Sequence, residues 1–167
     1  RPFARAYLAG RTPNPCLICN RDIKFGALLE KARQLGADYV ASGHYARVMY
    51  DHRRERYMLR QGFDQRKDQS YALYQLAQDQ LAHTLTPLGV LDKAVTRAIA
   101  TRLGLVTARK PESQEICFVP DNDYRRFLRE YTGLKENPGP IVDREGRVLG
   151  THKGVAFYTV GQRHGLG

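Results

Sequence analysis

Three cysteines are the residues of this sequence best suited to covalent chemistry. Cys16 and Cys19 lie in the stretch GRTPNPCLICN, and Cys117 lies about a hundred residues further on, in SQEICF. A thiolate is both a nucleophile and a metal ligand, so the first pair could be half of a metal site, a redox pair or part of a nucleophile loop. An odd number of cysteines in 167 residues disfavours a disulfide scaffold and favours reduced thiols.

A structural zinc site is the first alternative, and the number of ligands disfavours it. Such sites use four Cys or His ligands, commonly arranged as two pairs. Cys117 has no neighbouring cysteine with which to form a second pair, and the five histidines show no H-x3-H spacing. The sequence therefore predicts no tightly bound metal, although a zinc-dependent nucleic-acid-binding module that uses Cys16 and Cys19 stays open as an alternative.

Two other interpretations use the thiols as nucleophiles. A thiol-disulfide oxidoreductase places its C-x-x-C pair at a helix start, and NPCLICNRDIKF does precede a predicted helix, but the expected upstream strand is missing and Pro15 precedes the pair. Alternatively, Cys19 alone is the nucleophile, with its thiolate stabilised by the helix start and by Arg21 and Lys24. Cys117 would then be a sulfur carrier or resolving thiol.

The residues around the third cysteine leave a structural alternative open. Ile116 and Phe118 flank Cys117, so a buried core thiol is the simpler interpretation of this position alone. The sequence predicts an extended piece from Ile116 to Val119, followed by a helix that Asp121 or Asn122 could cap.

The elements that must position Cys19 follow from the apolar periodicity. NRDIKFGALLEKARQLG predicts a helix with Asn20 as N-cap and Gly36 at its end. DYVASGHY predicts a short buried strand that runs into Gly43. Because α/β sheets bind ligands at the carboxyl ends of their strands, Gly43 is a candidate for close backbone approach to a nucleotide, with a simple turn glycine as the alternative.

The remaining segments indicate an α/β chain followed by a β-rich region. YARVMYDHRRERYMLRQGFD predicts a β-hairpin with a strongly basic tip, whereas KDQSYALYQLAQDQLAHT and LDKAVTRAIATRLGL have helical periodicity. After KENPGP the sequence becomes rich in glycine and in short β-prone runs, with a hairpin signal at DREG. A boundary to a second, β-rich unit is therefore expected between about residues 120 and 140.

The charge balance indicates a polyanionic partner. Lys and Arg number 27 against 17 Asp and Glu, which gives a net charge of +10. The basic residues are spread along the chain, so a folded basic face is expected, with a merely basic surface as the alternative. No apolar run has the length of a membrane span and no signal peptide is recognisable, so we expect a cytoplasmic protein with no membrane partner.

Five motifs in register resemble one family. GRTPNPCLICNRDIKFG, GADYVASGHYAR, KDQSYALY, ESQEICFVP and YTVGQRHGLG occur in the order found in bacterial-type tRNA-specific 2-thiouridylases. The resemblance implies an ATP-dependent sulfurtransferase, with Mg accompanying ATP, that replaces the 2-oxygen of the wobble uridine with sulfur. It also implies that residues 1–119 are the C-terminal part of an adenine nucleotide alpha hydrolase-like, ATP-binding catalytic domain, and that residues 120–167 are a β-rich central domain, complete or truncated.

The same resemblance implies roles for individual residues. Cys19 corresponds to the nucleophile and Cys117 to the persulfide-bearing cysteine, and the two can form a disulfide when sulfur is delivered. Gly43 corresponds to an ATP-contacting backbone position. Contacts to the target base of the tRNA are implied for Asn14, Pro15 and Cys16, and contacts to the rest of the tRNA for Lys67, Asp68 and Gln69. A sulfur donor protein, either a persulfide relay or a cysteine desulfurase, is the second implied partner.

Two departures from the family pattern set further expectations. Cys16 occupies a position where many relatives carry an Asp that acts as acid or base, and a thiol fills that role only if its pKa is shifted. The Ser-Gly-Gly-Val-Asp-Ser type loop that holds the ATP pyrophosphate, and the C-terminal β-barrel, do not occur in these residues. We therefore expect a fragment, and the isolated 167 residues are predicted not to catalyse thiolation.

Overall fold

The structure, a computed structural model, describes residues 2–110, 116–119, 121 and 123–165. These residues form two compact units, one of Arg1–Pro15 with Ser113–Gly167 and one of Cys16–Glu112. The predicted domains, residues 1–119 and 120–167, are continuous in sequence. The two compact units instead group segments by their contacts in space, so they do not test that prediction. That division stays a prediction.

A helix in three parts begins at Pro15, the residue just before the second unit, and continues into that unit. These are α2 (Pro15–Ile18), a π-helical segment (Cys19–Ala27) and α3 (Leu28–Gln34). Proline suits the first helical position because it needs no hydrogen-bond acceptor for an N–H there, so the helix begins before Asn20 and the prediction of Asn20 as N-cap is wrong. The predicted helix end is confirmed, since Gly36 has φ +80° and its N–H donates to the Arg33 carbonyl at 3.0 Å.

A short parallel ladder follows the helix. Strand β1 (Val40–Ala41) pairs with β4 (Thr84–Leu85). The predicted strand is thus confirmed, but it was predicted to be buried, whereas Val40 is half-buried and Ala41 is exposed. The reason is that β1 pairs only with β4 among the described residues, so no second strand helps to bury it.

The predicted hairpin is confirmed and supplies one wall of the core. Strands β2 (Ala46–Asp51) and β3 (Arg56–Gln61) pair antiparallel, with Val48 opposite Leu59 and Tyr50 opposite Tyr57. The inward side chains pack against a buried cluster whose members are Phe25, Ala46, Leu73, Leu76 and Leu81.

Between the hairpin and β4, the predicted long helix is largely wrong. Only α4 (Gln78–Ala82) is α-helical, and the residues before it form two short 3-10 turns, Gln65–Lys67 and Ser70–Ala72. The Asp68 carboxylate accepts hydrogen bonds from the Ser70 N–H and hydroxyl, which competes with helical pairing. Further on, α5 (Lys93–Arg102) confirms the next predicted helix, with 3-10 turns before and after it at Pro87–Val90 and Val106–Arg109.

The first unit contains α1 (Pro2–Leu8), α6 (Tyr124–Thr132), a hairpin of β5 (Gly139–Val142) and β6 (Val148–His152), and a 3-10 turn at Val155–Phe157. Ala4, Tyr7 and Leu128 are buried together at its core. The residue that caps α6 is Asp123, which accepts from the Arg126 N–H at 2.9 Å. Asp121 instead contacts the Arg126 side chain, so its predicted capping role is wrong, and Asn122 lies outside the described residues.

Candidate functional site

Cys19 is the first residue of the π-helical segment, and its neighbour anchors it. Cys19 is half-buried, whereas Asn20 is only 2% exposed. The Asn20 Nδ2 donates a hydrogen bond of 2.9 Å to the carbonyl of Ala72, which is 52 residues away in sequence. Because a buried amide must find a partner, this bond fixes the backbone beside the candidate nucleophile.

The π-helical geometry is held by a side chain from outside the helix. The Gln80 Nε2 donates to the carbonyl of Arg21 and to that of Phe25, both at 2.8 Å. A Cβ at Gly26 would lie 2.9 Å from the Arg21 carbonyl oxygen, so a larger residue would displace the backbone. π-Helical turns are rare and often occur at functional sites, which strengthens the case for Cys19 as a site residue.

Arg21, one of the two cations predicted to stabilise a Cys19 thiolate, already has an ion-pair partner. The Arg21 guanidinium is paired with Asp22 at 2.6 Å, and its hydrogen bond lowers the pKa of that carboxyl. Its positive charge is therefore largely offset by its own neighbour. Cys19 also follows the four α-helical residues that begin at Pro15, so the prediction that it lies at the helix start is wrong.

Cys16 lies in the first turn of the same helix. Cys16 and Asn14 are exposed and Pro15 is half-buried. Residues three apart on a helix face similar directions, so Cys16 and Cys19 project from neighbouring positions of one face. The three residues predicted to contact the target base thus occupy the helix start, and their contact with a base stays a prediction.

Gly43 follows β1 at the carboxyl end of the parallel ladder, and the fold does not require a glycine there. Gly43 is exposed and is not among the glycines with positive φ. A Cβ at this position would lie 3.7 Å from the Leu88 Cδ1, an ordinary contact. No steric need for a glycine is found here within the described residues, and close approach of a ligand to Gly43 stays a prediction.

His44 is a residue of this loop that sequence reasoning missed. Its Nδ1 lies 2.6 Å from the Ser42 Oγ, and its ring lies 6.2 Å from that of Phe25. Burial lowers the pKa of His44 to about 4, and the positive charge of Lys24 acts in the same direction. The imidazole is therefore neutral near pH 7. The only sequence signal was a histidine beside the candidate glycine.

His44 makes stability depend on pH in a defined window. Since its folded pKa lies below the ordinary value of 6.5, the unfolded chain binds more protons between pH 6.5 and about 4. We expect stability to fall as the pH is lowered through this window, and His44→Asn, which retains a polar atom near the position of Nδ1, to weaken the dependence. Urea unfolding at several pH values measures it, and equal slopes in the two proteins would refute the assignment.

The KDQ turn is joined to this loop by two hydrogen bonds between Gln69 and the backbone of Tyr45. The Gln69 N–H donates to the Tyr45 carbonyl at 2.8 Å, and the Gln69 Oε1 accepts from the Tyr45 N–H at 3.1 Å. Asp68 accepts from the Gly62 N–H at 2.8 Å. The side chains of Asp68 and Gln69 therefore organise the protein itself, and half-buried Lys67 is the cation of the triplet.

Cys117 lies in the first unit, on a turn rather than in an extended piece. The Val119 N–H donates to the Ile116 carbonyl at 2.8 Å, which closes the turn and makes the prediction of an extended segment wrong. Cys117 is exposed, so the alternative of a buried core thiol is also wrong. The ring of Phe118 packs edge-on against Phe3 at 5.2 Å and anchors the turn. Residues 112–115 of the same motif lie outside the described residues.

Disulfides, metal-binding clusters and membrane-spanning helices are absent from the described part of the chain. All three cysteines are thiols in this structure and form no disulfide. No group of three or more His, Cys, Asp or Glu residues in the described ranges could hold a metal ion. No helix in those ranges is both long enough and apolar enough to cross a membrane.

Comparisons with known proteins match the whole chain. Residues 1–121 match the family described as tRNA methyl transferase HUP domain, and residues 125–167 match tRNA methyl transferase PRC-barrel domain. A HUP domain followed by a PRC-barrel domain confirms the predicted fold class, an α/β nucleotide-binding domain followed by a small β-rich one.

Several curated relatives share a name. The tRNA-specific 2-thiouridylase MnmA of Moorella thermoacetica is 61% identical over 165 residues, which cover 99% of this chain and 46% of the relative. The corresponding protein of Heliobacterium modesticaldum is 60% identical over 166 residues, 99% of this chain and 43% of the relative. That of Carboxydothermus hydrogenoformans is 59% identical over 165 residues, with 99% and 45% covered. The chain thus spans less than half the length of these relatives.

Proposed function

Since this chain belongs to the tRNA methyl transferase HUP-domain family, whose matched relatives are tRNA-specific 2-thiouridylases, we propose that it forms the sulfur-transfer part of an ATP-dependent tRNA 2-thiouridylase. The substrate is a tRNA with a uridine at the wobble position. The reaction uses ATP with Mg and a sulfur donor protein, and it takes place in the cytoplasm. The net charge of +10 supports a polyanionic substrate.

One observation carries the proposal: three of the five motifs form one hydrogen-bonded unit. Gln69 of the KDQ turn bonds twice to Tyr45 of the SGHY loop. Asn20, beside the candidate nucleophile, bonds to Ala72, which lies just after the KDQ turn. A nucleotide-binding loop, a tRNA-contacting turn and a cysteine must work on one uridine, and this arrangement supports the roles proposed for them.

The proposed chemistry assigns one step to each cysteine. The terminal sulfur of a persulfide on Cys117 bonds to C2 of the uridine after ATP has adenylated the 2-oxygen, and that oxygen departs with AMP. The Cys19 thiolate then attacks the Cys117 Sγ, which breaks the sulfur–sulfur bond and leaves the transferred sulfur on C2. The product is a Cys19–Cys117 disulfide, which an external dithiol reduces.

Gly43 supplies the proposed ATP contact, through its backbone. Carboxyl ends of parallel strands are where α/β sheets bind nucleotides, and the steric freedom at Gly43 supports a ligand-imposed glycine. The imidazole of His44, held neutral and bonded to Ser42, adds no positive charge to this loop near pH 7. At the proposed ATP site, this chain therefore supplies a preformed loop and not a set of positively charged side chains.

The proposed function is tested by assaying the full-length protein that carries this chain. Purified enzyme, unmodified tRNA, Mg-ATP and a persulfide donor are incubated, and nucleosides are analysed by mass spectrometry. We expect 2-thiouridine at the wobble position only when ATP is present. Its absence under all conditions, from a folded protein, would refute the proposal.

The proposed ATP contact predicts that a methyl group added at Gly43 weakens ATP binding without changing the stability of the protein. We expect Gly43→Ala in the full-length protein to weaken ATP binding about tenfold, because the new Cβ intrudes on the ligand, while the unfolding midpoint stays within error. The control is Gly150→Ala, because a Cβ there meets nothing within 4 Å and Gly150 lies in the other unit. Isothermal titration with ATP measures both, and unchanged affinity in Gly43→Ala would remove Gly43 from the site.

A further inference from the structure

The β2–β3 hairpin has an outward face that the core does not use. Side chains alternate across a strand, and Val48, Tyr57 and Leu59 point toward the buried cluster. The opposite set faces outward, and its cross-strand pairs are Arg47 with Arg60, Met49 with Met58 and Asp51 with Arg56. We define the arginine face as Arg47, Met49, Arg56, Met58 and Arg60, together with Arg53 at the tip.

The charges of this face are not balanced within the described protein. Arg47 and Arg60 lie directly opposite each other, an arrangement of like charges that destabilises a hairpin. Asp51 is paired with Arg54 at 3.1 Å, so its carboxylate is engaged at the tip. In the described part of the chain, no ion pair is made by the remaining arginines of the hairpin, which are Arg47, Arg53, Arg56 and Arg60.

We propose that the arginine face binds the phosphate backbone of the substrate RNA. Guanidinium groups form bidentate hydrogen bonds with phosphates. A phosphate bound between Arg47 and Arg60 would also relieve the repulsion between these two side chains. Arg60 follows Arg56 by four positions, about 13 Å along an extended strand. The spacing of these guanidinium groups thus suits a row of phosphates better than it suits a single carboxylate on a protein partner.

The position of the hairpin fits this role. Strand β2 begins directly after the SGHY loop, at Ala46, and β3 ends at Gln61. The next residue, Gly62, donates its N–H to Asp68 of the KDQ turn. The Arg47–Arg60 end of the arginine face therefore adjoins the turn for which a tRNA contact is proposed, and an RNA bound there can continue along the hairpin. The inference rests on the proposed function for the identity of the RNA.

The test is Arg60→Glu in the full-length protein. A glutamate opposite Arg47 replaces a repulsive pair by an attractive one, so the hairpin is expected to keep or slightly raise its thermal midpoint. Binding of unmodified tRNA is expected to weaken about tenfold at 0.1 M salt, and the slope of log affinity against log salt to fall by about one. Arg102→Glu, at an exposed arginine on α5, makes the same change in net charge and is the control for a general loss of positive charge.

The outcomes separate this inference from the proposed function. Weaker tRNA binding in Arg60→Glu, with an intact fold and unaffected binding in Arg102→Glu, supports the arginine face. Equal tRNA affinity in wild type and Arg60→Glu overturns it, while wild-type thiolation remains as evidence for the proposed function. Equal losses in both variants also overturn it, because the effect would then be one of net charge. Wild-type protein that neither binds nor thiolates tRNA refutes both.

Discussion

Replacing either Cys19 or Cys117 by serine is expected to lower 2-thiouridine formation by the full-length protein by about a thousandfold or more. A serine hydroxyl cannot carry a persulfide sulfur, and at neutral pH it is too weak a nucleophile to break a sulfur–sulfur bond. Cys19 is half-buried on an anchored helix and Cys117 is exposed on an anchored turn, so neither substitution removes a core side chain. Initial rates of thiolation with persulfide-loaded donor measure the effect.

Cys16→Ser is the matched control for this prediction. Cys16 lies three residues before Cys19 on the same helix and is exposed, so the substitution is equally mild for the fold. We expect a loss below about tenfold, because Cys16 is proposed to contact the target base but not to exchange sulfur. A thousandfold loss in Cys16→Ser with full activity in Cys117→Ser would instead favour a Cys16–Cys19 oxidoreductase.

Asn20→Asp is expected to destabilise the protein by about 3 kcal/mol near pH 7, the largest effect on stability that we predict for a single atom change. The substitution preserves shape but replaces the N–H donor that meets the Ala72 carbonyl with an oxygen. A carboxylate buried against a carbonyl oxygen has neither solvent nor a donor. Because Asn20 fixes the backbone beside Cys19, the thiolation rate is expected to fall as well.

The pH dependence of this variant gives a second readout. Burial raises the pKa of the new carboxyl in the folded protein above its unfolded value of about 3.9. Above about pH 4 the folded state therefore binds more protons, and the stability deficit relative to wild type grows as the pH rises. Protonated, the acid can donate to the Ala72 carbonyl as the amide did. Urea unfolding across pH measures the difference, with the exposed Asn137→Asp as control. A deficit that is small at pH 7, or that does not vary with pH, would contradict the structure.

Local signals in the sequence were sufficient to predict several structural elements. The alternation of apolar residues predicted the β2–β3 hairpin correctly, because one face of the hairpin is buried and its side chains alternate strictly between the two faces. A glycine after the last helical turn marked the helix end at Gly36, where positive φ is required. Cys19, Gly43 and the KDQ turn lie in one compact unit and Cys117 lies in the other, while the roles that the motifs predict for them stay predictions.

Other features could not be predicted because their causes are distant in sequence. Two carbonyls of the π-helical segment Cys19–Ala27 accept hydrogen bonds from Gln80, which follows Arg21 by 59 residues. The turn that carries Cys117 is packed through Phe118 against Phe3, which lies more than a hundred residues earlier in the sequence. The 3-10 turns around Asp68 arise because its side chain bonds to backbone N–H groups, a competition that helical periodicity does not reveal.

The central claim, that Cys19 and Cys117 exchange sulfur with each other, is tested most directly by disulfide mapping after one turnover. Full-length protein with a persulfide loaded on its own cysteines is mixed with tRNA and ATP in the absence of a reductant, quenched with an alkylating agent, digested and analysed by mass spectrometry. The proposed mechanism predicts a peptide linked through Cys19 and Cys117, formed in amounts equal to 2-thiouridine and absent without ATP. A link between Cys16 and Cys19, or 2-thiouridine formed with both Cys19 and Cys117 still alkylatable, would contradict it.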